Sequence, residues 1–144
     1  MDKNVALKII LESCKDYKEN LVNCNLLFVF GNINNPSFLE TSFLGRNFLH
    51  LTGCETKLHA NEFYNNALKK KLTKKDFELK SDGTTELKLS VLPEMMQIEK
   101  SARMLGNYND YKWELKTDKL IGNVRACIGF VKEKILNILY QIPY

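Results

Sequence analysis

The spacing of apolar residues changes along the chain, and this change constrains the fold more than any other feature. Near the N-terminus apolar residues recur every three or four positions, at Ala6, Ile10, Cys14, Tyr17 and Leu21. This spacing places side chains on one face of a helix and predicts a helix over residues 3–21, with Asp2 as its N-cap. In the last third, apolar and polar residues alternate as half-buried strands require. The chain is therefore predicted to have a mixed α+β fold.

Strand-like segments occur on both sides of the middle of the chain. Leu26–Phe30 and Ser37–Leu44 flank a turn-rich stretch that begins at Gly31, which predicts a hairpin with a loop of about six residues. Residues 113–117 and 124–131 are predicted to be neighbouring antiparallel strands joined near Asp118. The core side chains of this pair are predicted to be Trp113, Leu115, Val124, Ala126, Ile128 and Phe130. The apolar tail, Ile135–Tyr144, is predicted to be a further strand or a packed helix end.

The middle of the chain favours helices. His59–Leu72 has an apolar stripe at helical spacing, formed by Ala60, Phe63, Ala67 and Leu68. Lys74–Asp76 and Ser81–Gly83 are predicted to be surface connections. Residues 84–105 are ambiguous: Pro93–Leu105 favours a helix, whereas Glu86–Leu92 fits a strand or a helix.

Length and composition bound the class of protein. The 144 residues contain no repeat and no linker, which predicts a single domain over residues 1–144. No apolar run is long enough for a membrane helix and no signal peptide is recognisable, so we expect the protein in the cytoplasm of the cell that makes it, without a membrane partner. The four cysteines form no CxxC pair and are expected to be free thiols. His50, Cys54 and His59 lack the paired spacing of zinc sites, so no metal or cofactor is expected.

Positive charge is concentrated in one stretch. The net charge is only +4, but segment 69–80 holds six lysines against two carboxylates. Such a run fits either a solvated surface or a patch that faces nucleic acid. The candidate nucleic-acid contacts in this run are Lys69, Lys70, Lys71, Lys74 and Lys75.

The segment Gly45–Gly53 carries the residues best suited to chemistry. An extended conformation, predicted for residues 47–52, puts every second side chain on the same face. The face with functional groups then consists of Arg46, Phe48, His50 and Thr52. An arginine fork fits phosphate oxygens, an imidazole moves protons near neutral pH, a hydroxyl orients a phosphate, and an aromatic ring stacks on a base. A structural histidine beside a solvated arginine is the alternative interpretation.

Arg125 is a second candidate. In an extended segment it lies opposite the predicted core stripe, next to the small residues Cys127 and Gly129, which leaves room for a ligand. An ordinary solvent-facing arginine is the alternative. The sequence contains no phosphate-binding glycine loop, no HExxH motif, no GxSxG elbow and no obvious acidic cluster for two-metal chemistry. These absences favour chemistry that needs no metal.

Five motifs in order carry a resemblance to a known family. They are Phe48–Gly53 (FLHLTG), Glu62–Tyr64, Asp76–Glu78, Asp82–Leu89 and Val124–Val131. Together they resemble phage members of the barnase–EndoU–colicin–RelE nuclease group, found in Gram-positive bacteria and their mobile elements, with a matching core of about residues 25–132. The resemblance implies N-terminal helices on a curved antiparallel sheet of about four or more strands. It also implies metal-independent RNA cleavage by attack of a 2′-hydroxyl on the adjacent phosphate.

Two functional hypotheses follow. In the first, the chain is an endoribonuclease in which His50 is the general base or acid, Arg46 and Arg125 stabilise the charged intermediate, and Thr52 orients the phosphate. The second arises because members of the family usually continue into a strand with polar and basic residues, whereas Ile135–Tyr144 is apolar. The chain would then be an inactive relative that binds and inhibits a host defence protein. A toxin held by an antitoxin or immunity partner is a weaker alternative.

Overall fold

The computed structural model of the chain describes residues 1–32, 34–107, 119–123, 126–130 and 137–141. Helix α1 spans Lys3–Asn20, and the Asp2 side chain caps it by accepting a hydrogen bond from the backbone N–H of Asn4 at 3.2 Å. The predicted apolar face is buried in full, from Ala6 to Leu21. The prediction of this helix and of its cap is confirmed.

The predicted hairpin is also present, and it is longer than expected. Strand β1 spans Leu26–Asn32 and pairs in antiparallel fashion with β2, Asn35–Thr41. The pairing continues through Gly31 and Pro36, which had been assigned to a six-residue loop. A proline is tolerated here because the two-stranded sheet has no third strand that needs its missing N–H.

Three helices fill the middle of the chain. Helix α3 spans Ala60–Leu68 and ends earlier than predicted, since Lys70 adopts a left-handed φ of 56° that a helix cannot continue through. Helix α4 spans Thr84–Met95, which resolves the ambiguous segment as helix and places Pro93 in its last turn. Helix α5 spans Ile98–Ser101, so the predicted helix is wrong at Leu105, which belongs to a strand.

The C-terminal part forms a second sheet. Its strands β3 (Met104–Asn107), β4 (Lys119–Gly122), β5 (Ala126–Phe130) and β6 (Asn137–Gln141) are neighbours in that order and all antiparallel. Strand β4 ends at Gly122, and β5 begins at Ala126, within the predicted strand 124–131. The predicted strand at residues 113–117 lies outside the described residues. The mixed helix-and-strand class with antiparallel sheets is confirmed.

An aromatic cluster holds the helices together. Tyr17 of α1 packs on Phe43 and Phe48, and its hydroxyl donates a hydrogen bond of 2.7 Å to the carbonyl of Leu44. The second helix, α2 (Phe48–Thr52), and α4 both contact β6, and α4 also contacts β5. The short helix α2 is thus anchored between the helical core and the larger sheet.

Candidate functional site

The segment predicted to be extended is helical. A 3-10 turn at Gly45–Asn47 leads directly into α2, which ends at Gly53. The prediction that residues 47–52 form a strand is wrong, because Phe48 and Leu51, three positions apart, are both needed in the core. In so short a stretch, alternating apolar residues fit a single helical turn equally well.

The change from strand to helix separates the four residues that were predicted to share a face. Arg46 and His50, four positions apart, both remain exposed. Phe48 is fully buried in the aromatic cluster. Thr52 is also fully buried, and its hydroxyl donates to the Leu49 carbonyl at 2.8 Å and accepts from the Cys54 N–H at 3.2 Å. The predicted common face is therefore wrong for Phe48 and Thr52, whose side chains point into the protein.

The two glycines that bracket the segment are explained by packing. A Cβ on Gly45 would collide with the ring of Tyr64. Gly53 has a left-handed φ of 67°, and a Cβ there would lie 2.7 Å from Cδ of Lys88. The absence of a side chain at Gly53 lets the stem of Lys88 approach the backbone.

Helix α4 ties down the C-terminal end of α2. The ammonium of Lys88 donates to the His50 carbonyl at 3.0 Å, and the Thr85 hydroxyl donates to the Gly53 carbonyl at 2.7 Å. The Thr85 hydroxyl also accepts from the backbone N–H of Lys80 at 3.0 Å. We call the group of His50, Gly53, Cys54, Lys80, Thr85 and Lys88 the α2–α4 junction.

The junction concentrates basic groups. Partial burial, with the charges of Lys88 and then Lys80, lowers the pKa of His50 below its ordinary value. Burial and the charge of Lys80 likewise lower the pKa of Lys88. Over the described part of the chain, neither lysine nor His50 forms an ion pair with a carboxylate, since the ion pairs found there involve other residues. Lys80 also acts electrostatically on the carboxylate of Asp82. Basic groups that are close together and partly desolvated favour the binding of an anion.

The other predicted site residues have different positions. The side chains of Lys69, Lys70, Lys71, Lys74 and Lys75 are all exposed. Lys75 also lines a groove of about 540 Å³ together with Glu55, Lys57 and Glu78. Arg125 lies outside the described residues, so its convergence with His50 stays a prediction.

The cysteines are unpaired, as predicted. All four are free thiols, and Cys14, Cys54 and Cys127 are buried. Burial raises the pKa of Cys14 to about 12 and that of Cys127 to about 11, which makes both poor nucleophiles. Among the described residues, no group of three or more His, Cys, Asp or Glu is arranged to hold a metal ion. Within the same ranges, every helix is too short or too polar to cross a membrane.

Lys80 and Lys88 were not among the predicted site residues, although Lys80 was counted in the lysine-rich segment. Lys88 lies in Glu86–Leu92, which was predicted to be either a strand or a helix, so the sequence could not show which residues share a face with Lys88. On a helix, Thr85 and Lys88 are three positions apart and lie on the same face. A firm prediction of α4 would therefore have placed the two residues together, although nothing local indicates that this face meets α2.

Comparison with known proteins identifies the family. The family model described as phage-Barnase-EndoU-ColicinE5/D-RelE like nuclease4 (PBECR4) matches residues 9–138. The chain belongs to this nuclease-like family. No curated protein and no solved structure matches the chain. The resemblance inferred from the five motifs is confirmed, and the PBECR4 match includes the whole α2–α4 junction and the lysine-rich segment 69–80.

Proposed function

We propose that this PBECR4 member is a metal-independent endoribonuclease of a phage or other mobile element that acts in the host cytoplasm. Its membership of a nuclease family supports nuclease activity. The observation that carries the proposal is an exposed imidazole, His50, held at a helix end beside Lys88, and over the described residues neither side chain forms an ion pair with a carboxylate. This environment suits a phosphate substrate. We also propose that the larger sheet is curved, as the resemblance to the family implies.

In the proposed reaction His50 is the general base. A lowered pKa keeps the imidazole neutral at pH 7, ready to accept the proton of the ribose 2′-hydroxyl. The 2′-oxygen forms a bond to the adjacent phosphorus, and the bond from phosphorus to the 5′-oxygen breaks. The leaving 5′-oxygen takes up a proton from solvent water, His50 releases its proton to solvent, and the products are a 2′,3′-cyclic phosphate and a free 5′-hydroxyl.

The arginines are proposed to stabilise the negative charge that builds up on the phosphate. Arg46 is exposed four positions before His50, and Arg125 precedes β5. Guanidinium groups bind phosphate oxygens through two donors at once, which favours the pentacovalent intermediate. Thr52 and Phe48 have no part in this proposal, because both side chains are fully buried.

A second candidate function rests on the hairpin. Leu27, Val29 and Phe38 are each more than half exposed, and Val29 and Phe38 are cross-strand partners on the same face. Exposed apolar side chains grouped in this way are typical of protein-binding surfaces. In this alternative the chain is catalytically inactive and binds a host defence protein, or pairs with an antitoxin or immunity protein.

Incubation of the purified protein with total RNA in the presence of a chelator tests the proposal. We expect cleavage by the wild type and a loss of roughly 100-fold or more in His50→Ala and in Arg125→Ala, the scale for removing an acid–base group or a charge stabiliser. His59→Asn is the matched control, since His59 is the other histidine of the chain and asparagine retains its N-cap position. Absence of cleavage by the wild type would favour the binding-protein alternative.

A further inference from the structure

Lys88 is held in place by contacts that the proposed reaction does not explain. Its stem lies against Gly53, where any side chain would meet it, and its ammonium donates to the His50 carbonyl at 3.0 Å. The side chain is half-buried. A lysine that only keeps a protein in solution lies free in water, so these contacts indicate a specific position for the charge.

The ammonium of Lys88 retains unused binding capacity. It has three N–H donors, and the His50 carbonyl is the only acceptor that the described residues offer it. A second cation, Lys80, lies close enough to act on it electrostatically. Over the described residues, Lys88 forms no ion pair with a carboxylate, whereas Lys80 also acts electrostatically on the carboxylate of Asp82. The charge of Lys80 still lowers the pKa of Lys88, so the two cations repel each other, and an anion between them removes that repulsion.

We propose that Lys88, together with His50 and Lys80, binds a phosphodiester group of single-stranded RNA at the α2–α4 junction. This assignment rests on the proposed function and deepens it, because it names the group that holds the phosphate beside the imidazole. Lys88 is the anchor, since its stem is fixed against Gly53. Lys80 is exposed and adds long-range attraction. A lysine suits this task because its ammonium is a compact point charge that binds one phosphate oxygen without covering the phosphorus.

Two backbone carbonyls of the junction are already hydrogen-bonded to side chains of α4. The carbonyls of His50 and Gly53 accept hydrogen bonds from Lys88 and Thr85, respectively, so both oxygens already have a donor before a ligand arrives. The phosphate therefore meets donors instead of exposed carbonyl oxygens. This arrangement favours an anion over a cation at the same place.

The binding test uses a short 2′-O-methyl oligouridylate, which has the RNA backbone but lacks the attacking hydroxyl. Affinity is measured by fluorescence anisotropy for the wild type, Lys88→Met, Lys88→Arg, Lys80→Met and the control Lys8→Met. Methionine keeps the length of the stem against Gly53, and Lys8 lies on the exposed face of α1. We expect affinity to fall about ten-fold or more in Lys88→Met, the scale of a missing charge-assisted hydrogen bond. We expect a smaller loss in Lys80→Met, partial rescue in Lys88→Arg and no change in Lys8→Met.

A second readout follows the titration of His50 by NMR. The chain has only two histidines, so His59→Asn assigns the signals. We expect the oligouridylate and inorganic phosphate to raise the pKa of His50 in the wild type, and the oligouridylate to do so at lower concentration. Removal of the Lys88 charge should raise the pKa of His50 without any ligand, because that charge lowers it.

The outcomes separate the two proposals. Equal affinity and an equal His50 titration in wild type and Lys88→Met would overturn the phosphodiester site, even if the wild type cleaves RNA. Oligouridylate binding that depends on Lys88, without cleavage of natural RNA, would confirm the phosphodiester site and overturn the endoribonuclease. Binding of an acidic peptide with higher affinity than the oligouridylate would contradict the RNA assignment.

Discussion

The lysine-rich segment 69–80 and the α2–α4 junction share Lys80, but the rest of their positive charge arises in different ways. Segment 69–80 is dense in lysine along the sequence, and five of its lysines, Lys69, Lys70, Lys71, Lys74 and Lys75, extend into solvent. The junction draws its basic groups from positions up to 38 residues apart, half-buries Lys88, and partly desolvates the exposed imidazole of His50. The first charge is a property of composition, and the second is a property of the fold.

This difference matters for what we expect each region to contribute in the proposed RNA complex. Water and salt screen an exposed lysine, so we expect the segment to supply an attraction that depends on ionic strength and does not fix the position of the phosphate. A half-buried cation with a fixed stem is screened less and has a defined position. We therefore expect segment 69–80 to contribute to the rate of encounter and the junction to contribute to positioning.

The largest expected effect comes from adding a methyl group at the junction. Gly53→Ala forces an alanine into a left-handed conformation, which costs about 1–2 kcal/mol, and it pushes on the Lys88 stem. Gly83→Ala is a matched control, because Gly83 has a similar φ of 82° but no atom within 4 Å of an added Cβ. Urea unfolding of the two variants should show similar losses of stability.

The two glycine variants should differ in binding. Gly53→Ala displaces Lys88 and should weaken the binding of the 2′-O-methyl oligouridylate, whereas Gly83→Ala should leave it unchanged. If both variants lose binding equally, the effect is a general consequence of reduced stability. The role of the contact between Gly53 and Lys88 would then be disproved.

A smaller effect is expected from the exposed lysines. The double replacement Lys70→Gln and Lys71→Gln should reduce affinity for the oligouridylate a few-fold at low salt. It should also lower the salt slope by roughly 0.7 for each phosphate that the variant no longer neutralises. The reduction in affinity should vanish at high salt. The reduction caused by Lys88→Met should persist there, because a half-buried charge is screened less. A salt-independent reduction in the double variant would contradict the distinction between the two regions.

The sequence predicted the elements whose periodicity extends over several turns or strand pairs. Helix α1 repeats its apolar spacing over 18 residues, and its cap is a local signal, so both were predictable. Helix α2 has five residues, and over that length one turn of helix and a short strand place apolar residues alike. The wrong prediction for α2 also made the predicted common face wrong, because Phe48 and Thr52 were chosen on the assumption that side chains alternate along a strand.

The junction was beyond reach for a different reason. His50 was identified from its residue type and its surroundings in the sequence. Lys88 became recognisable only when α4 was docked against the end of α2, since its partners are the carbonyl of His50 and the backbone of Gly53. A contact between a side chain and a distant backbone leaves no pattern of residue types in the sequence. Gly53 can be read from the sequence, but the Lys88 stem that requires a glycine there cannot.

The smallest effect expected is a pH dependence of stability that belongs to the junction alone. Burial, Lys88 and Lys80 hold the pKa of His50 in the folded protein below its ordinary value of 6.5. As the pH falls, the unfolded chain therefore binds a proton before the folded chain does. The contribution of His50 to stability is complete above pH 6.5, decreases as the pH falls towards the folded-state pKa, and is constant below it. Urea unfolding between about pH 7.5 and about pH 5 should show this slope against a His50→Gln control, which lacks it.

The effect should be smaller than that of Gly53→Ala, since the imidazole is exposed to solvent. Lys88→Met should reduce the slope because it removes one of its causes, whereas Lys70→Gln, in the lysine-rich segment, should leave it unchanged. An equal pH slope in the wild type, Lys88→Met and Lys70→Gln would show that the junction charges do not act on His50.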